Sequence, residues 1–469
     1  MDRRLDTAQT AQSGGRRTGP ASIGRRGLLT AAGAGAGGAV GTMALAACGP
    51  RRGDEAASQA APSRATGTIE FWQWGVSYVD GFDALAAAFN EQHAGATVVH
   101  SRPEGYDDKI KVSIAAGSGG PDVYLMRGPN HKQWAHDGLA IDVGEYAARD
   151  KAAAADLRAM HKVFYDYYHY QGKLHGAPWD LSTISVAYNL DVLEARGLKP
   201  PAELGASWDW NAFADYARQL TPADGSKYGV DATPGIETGY YNWVVANGGA
   251  FWSDDYKRCT VDTPVFVEAA EAYMALAHRL KVSPPQAWTA EQIRGLPHRA
   301  NLFTNGLVAM QTAGDWFFSW YDRVPDLRWD VVPVPYAPRT KQTGSIANFR
   351  GLAMAPTTRN KELAWAWMAS LITREVQDRI PAMMGEVPGR LDSIEQVYLN
   401  PARAPTPKSR RLLKAAVEAT RPLPGHPLLP WSDVNGAANA LLGAYDGTRQ
   451  VKDALTEIQA KLTALIEGR

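Results

Sequence analysis

Three short segments in the first third of the chain combine aromatic rings with charged side chains. They are Trp74-Gly75-Val76-Ser77-Tyr78, Arg102-Pro103-Glu104-Gly105 and Arg127-Gly128-Pro129-Asn130. Segments that only connect elements are usually built from glycine, serine and asparagine. Two aromatic rings, two arginines, an acid and an amide indicate instead a pocket with flat walls and a few placed polar groups.

The sequence carries no motif typical of catalysis, a cofactor or a metal site. GxSxG, P-loop and GxGxxG patterns are absent outside the N-terminal leader, and no histidine pair has HExxH spacing. Two cysteines, Cys48 and Cys259, exclude a CxxC motif. The formal net charge of zero argues against a nucleic-acid partner, which would require a basic surface. We therefore expect no catalytic residue, no cofactor, no metal and no nucleic acid.

The elements that must position these segments alternate between strand and helix patterns. Strands are predicted over 68–74, 96–100 and 122–126, and amphipathic helices lie between them, the second over 106–117. This alternation predicts βαβ units and a parallel sheet, in which ligands bind outside the carboxyl ends of the strands. The three segments follow those ends. We therefore expect Trp72 to pack in the core and Trp74 to border a cleft.

The length of 469 residues exceeds what one hydrophobic core usually holds, so two or more lobes are expected. Two extended segments without helical spacing, 175–189 and 344–356, are suited to cross between lobes. Fifteen tryptophans are many for this length, and such rings line ligand sites as readily as they fill cores.

The first 47 residues resemble an export leader rather than folded protein. Arg25-Arg26 followed by Leu28-Leu29 resembles the twin-arginine signal, although Gly24 replaces the usual serine or threonine. The uncharged stretch that follows is rich in glycine and alanine, which makes a transmembrane helix the weaker alternative. Leu45-Ala46-Ala47-Cys48 resembles a bacterial lipobox, which implies lipidation at Cys48.

Residues 48–66 are poor in aromatics and rich in alanine, serine, proline and charge, which predicts a disordered tether. The chain is then expected to be exported and lipid-anchored to the outer face of the cell membrane. A disulfide between the two cysteines is possible in principle, but lipidation of Cys48 leaves Cys259 as a single, inert thiol.

Seven motifs in a fixed order resemble the extracellular solute-binding proteins (family 1) of carbohydrate ABC transporters, the group like the maltose-binding protein. The resemblance covers essentially all of 67–469. The motifs are EFWQWG, YDDKIKVSIAAGSGGPDV, GAPWDLSTISVAYN, NGGAFWSDD, TNGLVAMQTAGDW, WDVVPVPY and AWAWMASLI.

The resemblance implies an α/β, two-lobe periplasmic-binding-protein-like fold of type II, with a mostly parallel sheet in each lobe and a hinge between. Lobe one would comprise 67–178 plus 344–380, and lobe two 182–340 plus 385–469. The implied function is capture of a sugar between closing lobes by a monomer that delivers it to permease subunits, with no chemistry of its own.

A sugar requires flat rings for its C–H faces and charged or amide groups for its hydroxyls. By position in the family motifs, Asp315, Trp316 and Arg127 match ligand contacts. The full set of expected ligand-binding residues is Trp74, Tyr78, Glu104 and Arg127 from lobe one, Trp179 and Asp180 at the crossing, Tyr240, Tyr241, Trp243, Asp315 and Trp316 from lobe two, and Asn348, Phe349 and Arg350 from the return crossing.

Several alternatives remain open at this stage. Trp316 could be a core residue, and Asp315 could only cap a helix. Asp180 could serve the hinge alone, with Arg350 as its ion-pair partner, and only one of Tyr240 and Tyr241 can face a cleft if both lie on a helix.

Two other functions also remain open. One is an exported glycoside hydrolase using two of Glu104, Asp180 and Asp315. The other is a binder of a non-sugar solute such as a peptide, a metal chelate or a glycerol phosphate ester. A phosphate ester would give more weight to Arg127 and Arg350.

Overall fold

The computed structural model describes residues 65–292, 300–403 and 406–468. The predicted leader, the lipidation site at Cys48 and all but the last two residues of the predicted tether lie outside the described residues. In the described part of the chain, no helix is both long enough and apolar enough to cross a membrane.

The strands are short and are distributed along the whole chain. In chain order they are β1 Gly67–Trp72, β2 Ala96–Ser101, β3 Val123–Met126, β4 His169–Tyr170, β5 Lys173–Leu174, β6 Ala177–Leu181, β7 Ile184–Asn189, β8 Tyr228–Asp231, β9 Val308–Gly314, β10 Trp329–Pro333, β11 Ser345–Ala347, β12 Arg350–Met354, β13 Val387–Pro388 and β14 Thr420–Pro422.

The strands form two main sheets, and each sheet is the centre of one lobe. The first lobe has a six-stranded sheet in the order β13-β6-β12-β3-β1-β2, and the second has a four-stranded sheet in the order β10-β7-β9-β8. Strands β6 and β7 are separated only by residues 182 and 183, so the chain passes directly from one sheet to the other. Strands β11 and β14 pair in parallel as a separate ribbon.

Both sheets are mixed, which corrects the expectation of a mostly parallel sheet in each lobe. In the first lobe, β1 pairs in parallel with β2 and β3, but β12 runs antiparallel to β3 and β6. In the second, only the β8–β9 pair is parallel. The reason is that β6, β7 and β12 belong to the crossing segments, which enter each sheet directly rather than through a βαβ connection.

The amphipathic run predicted over 106–117 forms a helix, and helices cover both sheets. They are α1 Val79–Gln92, α2 Tyr106–Ala116, α3 His131–His136, α4 Gly144–Arg149, α5 Lys151–Arg158, α6 Lys162–Tyr167, α7 Leu190–Ala195, α8 Trp210–Leu220, α9 Tyr240–Ala246, α10 Pro264–His278, α11 Gln286–Gln292, α12 Asn301–Thr304, α13 Phe318–Tyr321, α14 Lys361–Leu371, α15 Arg374–Gln377, α16 Ile380–Met384, α17 Leu391–Ser393, α18 Leu413–Glu418, α19 Trp431–Ala438, α20 Leu441–Tyr445 and α21 Val451–Glu467.

Tighter turns supplement these helices. Single 3-10 turns occur at Val76–Tyr78, Gly128–Asn130, Pro201–Glu203, Gly205–Ser207, Asp315–Phe317 and Arg410–Leu412, and a π turn at Ile394–Tyr398. Local chemistry sets the helix ends: the Asp209 carboxylate accepts hydrogen bonds from the backbone N–H groups of Asn211 and Ala212, both at 3.0 Å, and thereby starts α8.

The hydrophobic core has two parts that correspond to the lobes. One surrounds the six-stranded sheet and includes Phe71, Phe82 and Trp367, and it continues onto one face of the second sheet. The other lies between the opposite face of the second sheet and its helices, and includes Trp208 and Tyr273. Each fully buried large apolar side chain stabilises the fold by about 1.5–3 kcal/mol. Because both parts of the core contain such side chains, each sheet has its own stabilising core.

Candidate functional site

The two sheets are connected at residues 182 and 183, where the chain passes from the end of β6 to the start of β7. In the first lobe, β3 ends at Met126, opposite Gly351, so Arg350 at the start of β12 lies beside the loop after β3. Arg350 is also paired in register with Asp180 near the end of β6. In the second lobe, the start of β7 pairs with the end of β9 at Gly314. Side chains from 74–78, 127, 180, 315–316 and 350 are therefore positioned at one junction.

A buried charge cluster lies at this junction, and we call it the Arg350 cluster: Tyr78, Asp180, Arg350 and Glu386. Arg350 Nε donates to Asp180 Oδ1 at 2.7 Å, and Arg350 Nη2 lies 2.7 Å from Glu386 Oε2. The Tyr78 hydroxyl donates to Glu386 Oε1 at 2.7 Å, and the guanidinium carbon lies 5.5 Å from the centre of the Tyr78 ring. All four residues are buried.

Electrostatics in the cluster are dominated by loss of water. Burial raises the pKa of Asp180 from 3.8 to about 7, although the charge of Arg350 acts in the opposite direction. Burial lowers the pKa of Arg350, but Asp180 and Glu386 outweigh that effect and raise it well above its ordinary value. Arg350 therefore stays charged, while Asp180 is a carboxyl that titrates near neutral pH.

Asp315 brings a further buried carboxyl from the second lobe. Its Oδ1 accepts a hydrogen bond from the Thr183 backbone N–H at 3.1 Å, and its Oδ2 has no hydrogen-bond partner among the described residues. Burial, reinforced by the charge of Glu386, raises the pKa of Asp315 well above its ordinary value. The side chain does not cap the turn that it begins, so the alternative of a capping role is wrong.

Trp316 follows and is half-buried, with contacts to the cores of both lobes. Its ring lies against Gly314, where an added Cβ would come within 2.0 Å of a ring carbon. Glycine is therefore required at the end of β9 for the ring to occupy this position. Because Trp316 packs against both cores and keeps part of its surface exposed, its assignment to the cleft stays a prediction.

The first lobe contributes a second half-buried tryptophan, opposite Trp316 in the proposed cleft. Trp74 lies two residues past the end of β1. Trp72 and Trp74 are both half-buried and both pack against the core of the first lobe, so the expected difference between them stays a prediction. The guanidinium of Arg127 lies 4.2 Å from the centre of the Trp74 ring and forms an ion pair with Asp107 at 3.3 Å. Tyr106 supports Trp74 edge-on, with ring centres 5.5 Å apart.

Four expected ligand contacts lie in the hydrophobic cores instead, and their assignment to the cleft is corrected. Trp179 packs 5.3 Å from the ring of Phe82, because its strand is covered by α1. Trp243 stacks on Trp210 at 4.6 Å. The four, all almost completely buried, are Trp179, Tyr240, Trp243 and Phe349.

The remaining expected residues have other positions. Tyr241 is also buried in the second core, so neither tyrosine at the start of α9 faces an open cleft. Asn348 Oδ1 accepts from the Gly128 backbone N–H at 3.1 Å and braces the loop after β3. Glu104 is exposed in the turn before α2.

Sequence reasoning missed two acids, Glu386 of the Arg350 cluster and Glu237. Glu386 lies between β13 and Gly385, which ends α16 with a positive φ of 73°. The signal available in the sequence was a glycine followed by an acid. Glu237 lies in the loop after β8, and burial raises its pKa.

A second contact between the lobes was also missed. Lys132 of α3 points its ammonium group at two rings, Tyr167 in the first lobe at 5.6 Å and Tyr256 against the second core at 5.1 Å. The Tyr167 hydroxyl donates to the Gly128 carbonyl at 2.6 Å, which links this contact to the loop after β3.

Away from the junction, a cavity of about 560 Å³ opens on the second lobe, between the end of α8, β8 and the end of α10. Its lining includes Arg218, His278 and Asp446, and none of the expected ligand-binding residues. Among the described residues, no group of three or more histidine, cysteine, aspartate or glutamate side chains is arranged to hold a metal ion.

Comparison with known proteins gives consistent findings. A family model described as bacterial extracellular solute-binding protein matches residues 84–405. The galactooligosaccharide-binding protein of Bacillus subtilis is 23% identical over 330 residues, which cover 69% of this chain and 72% of that protein.

Solved structures share the fold at lower sequence identity. An ABC substrate-binding protein from Listeria monocytogenes in complex with cycloalternan matches with a TM-score of 0.73 and 22% identity, covering 86% of this chain and 99% of that one. The sugar-binding protein MalE from Xanthomonas citri matches with a TM-score of 0.71 and 18% identity, covering 86% and 98%. The fold is thus the α/β, two-lobe type of periplasmic binding proteins.

Proposed function

The chain belongs to the family of bacterial extracellular solute-binding proteins, and from that membership we propose that it captures a sugar or oligosaccharide between its lobes for an ABC importer. The name of the Bacillus subtilis relative and the complex of the Listeria monocytogenes protein support a carbohydrate ligand. Two observations support the proposal: half-buried Trp74 and Trp316 follow strand ends in different lobes, and a buried group of charged side chains lies where the chain crosses between the lobes.

This combination suits the chemistry of a sugar. The C–H faces of a pyranose ring pack on flat aromatic rings, and its hydroxyls require hydrogen-bond partners once water is removed. Bonds to charged partners are the stronger ones. Trp74 and Trp316 would provide the rings, and Arg127, Asp315 and the Arg350 cluster would provide the polar groups.

The binding step follows from the two-lobe architecture. A solute that contacts side chains of both lobes stabilises their closed arrangement, since it gains those contacts only when the lobes approach. We propose that the closed form is the one presented to permease subunits and that the protein acts as a monomer.

Export and anchoring belong to the same proposal. The arginine pair, the glycine-rich apolar stretch and the lipobox support twin-arginine export and lipid attachment at Cys48. A Cys48→Ala variant produced in a host that processes lipoproteins is expected to lose incorporation of labelled fatty acid and to leave the membrane fraction. Retention of the variant in the membrane would contradict the lipid anchor.

The test of function is isothermal titration calorimetry with a panel of mono- and oligosaccharides. At least one should bind the wild-type protein, and Trp74→Ala and Trp316→Ala should weaken that binding while the variants remain folded. Trp288→Ala is the matched control, because Trp288 is also half-buried but packs on Tyr228 at 5.1 Å, away from the junction. Equal affinities for all four proteins would contradict the proposed site.

The same panel separates the two rival functions. Release of shorter sugars during incubation would indicate a glycoside hydrolase, as would loss of that activity in Asp315→Asn. Binding of glycerol phosphate esters with no response to any sugar would indicate a non-sugar solute. The ion pair of Asp180 with Arg350 disfavours the hydrolase, because a general acid must be free to transfer its proton.

A further inference from the structure

One buried side chain beside Trp74 has no hydrogen-bond partner. Gln73 directly follows β1 and is completely buried, and neither its amide oxygen nor its amide nitrogen is hydrogen-bonded among the described residues. A side-chain amide can donate two hydrogen bonds and accept two. Leaving such a group buried and unbonded is costly, so the fold alone gives no reason for glutamine at this position.

Another buried glutamine shows how this fold satisfies the same group. Gln377 is equally buried, and its amide oxygen accepts from the backbone N–H of Gly389 at 2.7 Å and of Arg390 at 3.3 Å. Its amide nitrogen donates to the backbone carbonyls of Trp179 at 2.9 Å and Leu371 at 3.2 Å. The side chain after β1 therefore differs from a glutamine whose role is structural.

The backbone determines which face of the first sheet this side chain lies on. The Gln73 N–H donates to the Ser101 carbonyl at 3.1 Å, which extends the pairing of β1 with β2 by one residue. Side chains two residues apart on a strand share a face, so Gln73 lies on the face of Phe71. The Phe71 ring packs 4.8 Å from Phe82, and Tyr78 of the Arg350 cluster packs on the same ring at 6.4 Å. The unbonded amide thus lies at the carboxyl end of β1, on the face of the sheet where Tyr78 packs.

We propose that Gln73 contacts the solute and determines specificity, with its amide hydrogen-bonded to one hydroxyl of the bound sugar from the first-lobe side. This inference rests on the proposed sugar-binding function and adds a residue to its site. A hydroxyl both donates and accepts, so it can bond either the amide oxygen or the amide nitrogen. A solute enters while the lobes are apart and is enclosed as they close, so a side chain that contacts it is buried when the lobes are together.

The first test is isothermal titration calorimetry with the panel of mono- and oligosaccharides, galactobiose, maltose and maltotriose among them. Gln73→Met replaces the amide with an apolar chain of similar length. We expect this variant to bind the tightest-binding sugar about tenfold or more weakly than the wild type, because a buried hydroxyl loses its partner. Gln219→Met, at an exposed position on α8, is the control and should keep the wild-type affinity.

The second test is urea unfolding without ligand, in which the same substitution should have opposite effects at two positions. Gln73→Met removes an unbonded buried amide, so the midpoint should stay the same or rise. Gln377→Met removes four hydrogen bonds to backbone groups, so the midpoint should fall. An equal fall for Gln73→Met, or its failure to fold, would show that the amide is bonded within the folded protein and would contradict the proposal.

Monodeoxy forms of the tightest-binding sugar then identify the hydroxyl. In the wild type, one such form should bind about tenfold more weakly than the parent sugar, while Gln73→Met should bind that form at least as well as the parent. If the variant loses the same factor for the parent and for every monodeoxy form, the amide bonds no hydroxyl of the sugar and the proposal is wrong.

The outcomes separate this inference from the function on which it rests. If a sugar binds the wild type and Gln73→Met equally, the inference is wrong and the proposed function remains. If no sugar of the panel binds the wild type, the proposed function itself is contradicted and the inference falls with it.

Discussion

Arg350 is a charged residue in the interior, held by two acids from distant parts of the chain. Removal of one member of such a buried group leaves the others without compensation, which typically costs about 3–5 kcal/mol. We expect Arg350→Leu to reduce the free energy of unfolding by about that amount in urea denaturation.

Arg328→Leu is the matched control for that experiment. Arg328 pairs with Asp191 and Glu194, but all three side chains are about half exposed. Its removal should change stability far less, because water already screens the pair. Equal losses in the two variants would contradict the structural role assigned to the Arg350 cluster.

Asp180 should make stability depend on pH. Its pKa is raised from 3.8 to about 7 in the folded protein, so the unfolded chain releases this proton first as pH rises. The contribution of Asp180 to stability is complete below about pH 4 and is lost as pH approaches about 7. Relative to Asp180→Asn, the wild-type free energy of unfolding should fall across this window, by up to about 4 kcal/mol. Parallel curves in urea titrations at several pH values would contradict this.

At the residue scale, the ligand-facing positions stay a prediction, and four of the aromatic residues expected there lie in the cores. Trp74 and Trp316 follow strand ends and are half-buried, with one side packed against the cores. Trp179 and Trp243 have the same residue type but are covered by α1 and by Trp210. Aromatic rings serve cores and clefts equally well, so residue type alone could not distinguish them.

At the element scale, local patterns predicted α2 and the first three strands, because periodicity and capping act over a few residues. Gly117 ends α2 with a positive φ of 70°, as its position indicated. Strand direction was not predictable in the same way. Whether β6 and β12 run parallel or antiparallel to β3 depends on how the chain crosses between lobes, which is a long-range property.

The packing of β8 on α8 gives a test at this scale. A Cβ added to Gly229 would lie 2.0 Å from the Ala217 carbonyl oxygen, and backbone atoms cannot rotate away as a side chain can. Gly229→Ala should therefore destabilise the protein by about 1–3 kcal/mol or more, as measured by urea unfolding. Gly436→Ala in α19 is the control, since its Cβ meets nothing within 4 Å. The control should stabilise by about 0.5–1 kcal/mol.

At the scale of the whole molecule, length alone predicted more than one lobe, and the resemblance predicted which segments each lobe contains. The proposed boundaries at 178, 344, 380 and 385 stay a prediction. The six-stranded sheet includes β13 at Val387–Pro388, so the last crossing lies close to that segment. The position of a lobe boundary within such a short segment depends on how its strand pairs in the folded protein, which no local sequence pattern shows.

Contacts between lobes away from the ligand should tune the balance between open and closed forms. Lys132 contacts Tyr256 across the lobes, and burial lowers the pKa of Lys132. A partly buried cation–π contact contributes about 0.5–1 kcal/mol. If the contact forms only on closure, its loss should favour the open form.

We therefore expect Lys132→Met to increase the radius of gyration of the ligand-free protein in small-angle X-ray scattering and to weaken solute binding about two- to fivefold. Tyr256→Leu should have the same effects, and the double variant should add little, because both substitutions remove one contact. Lys111→Met on α2 is the control, since no ring contact of that side chain occurs among the described residues. Additive losses in the double variant would show that the two residues act separately and that their contact does not hold the lobes together.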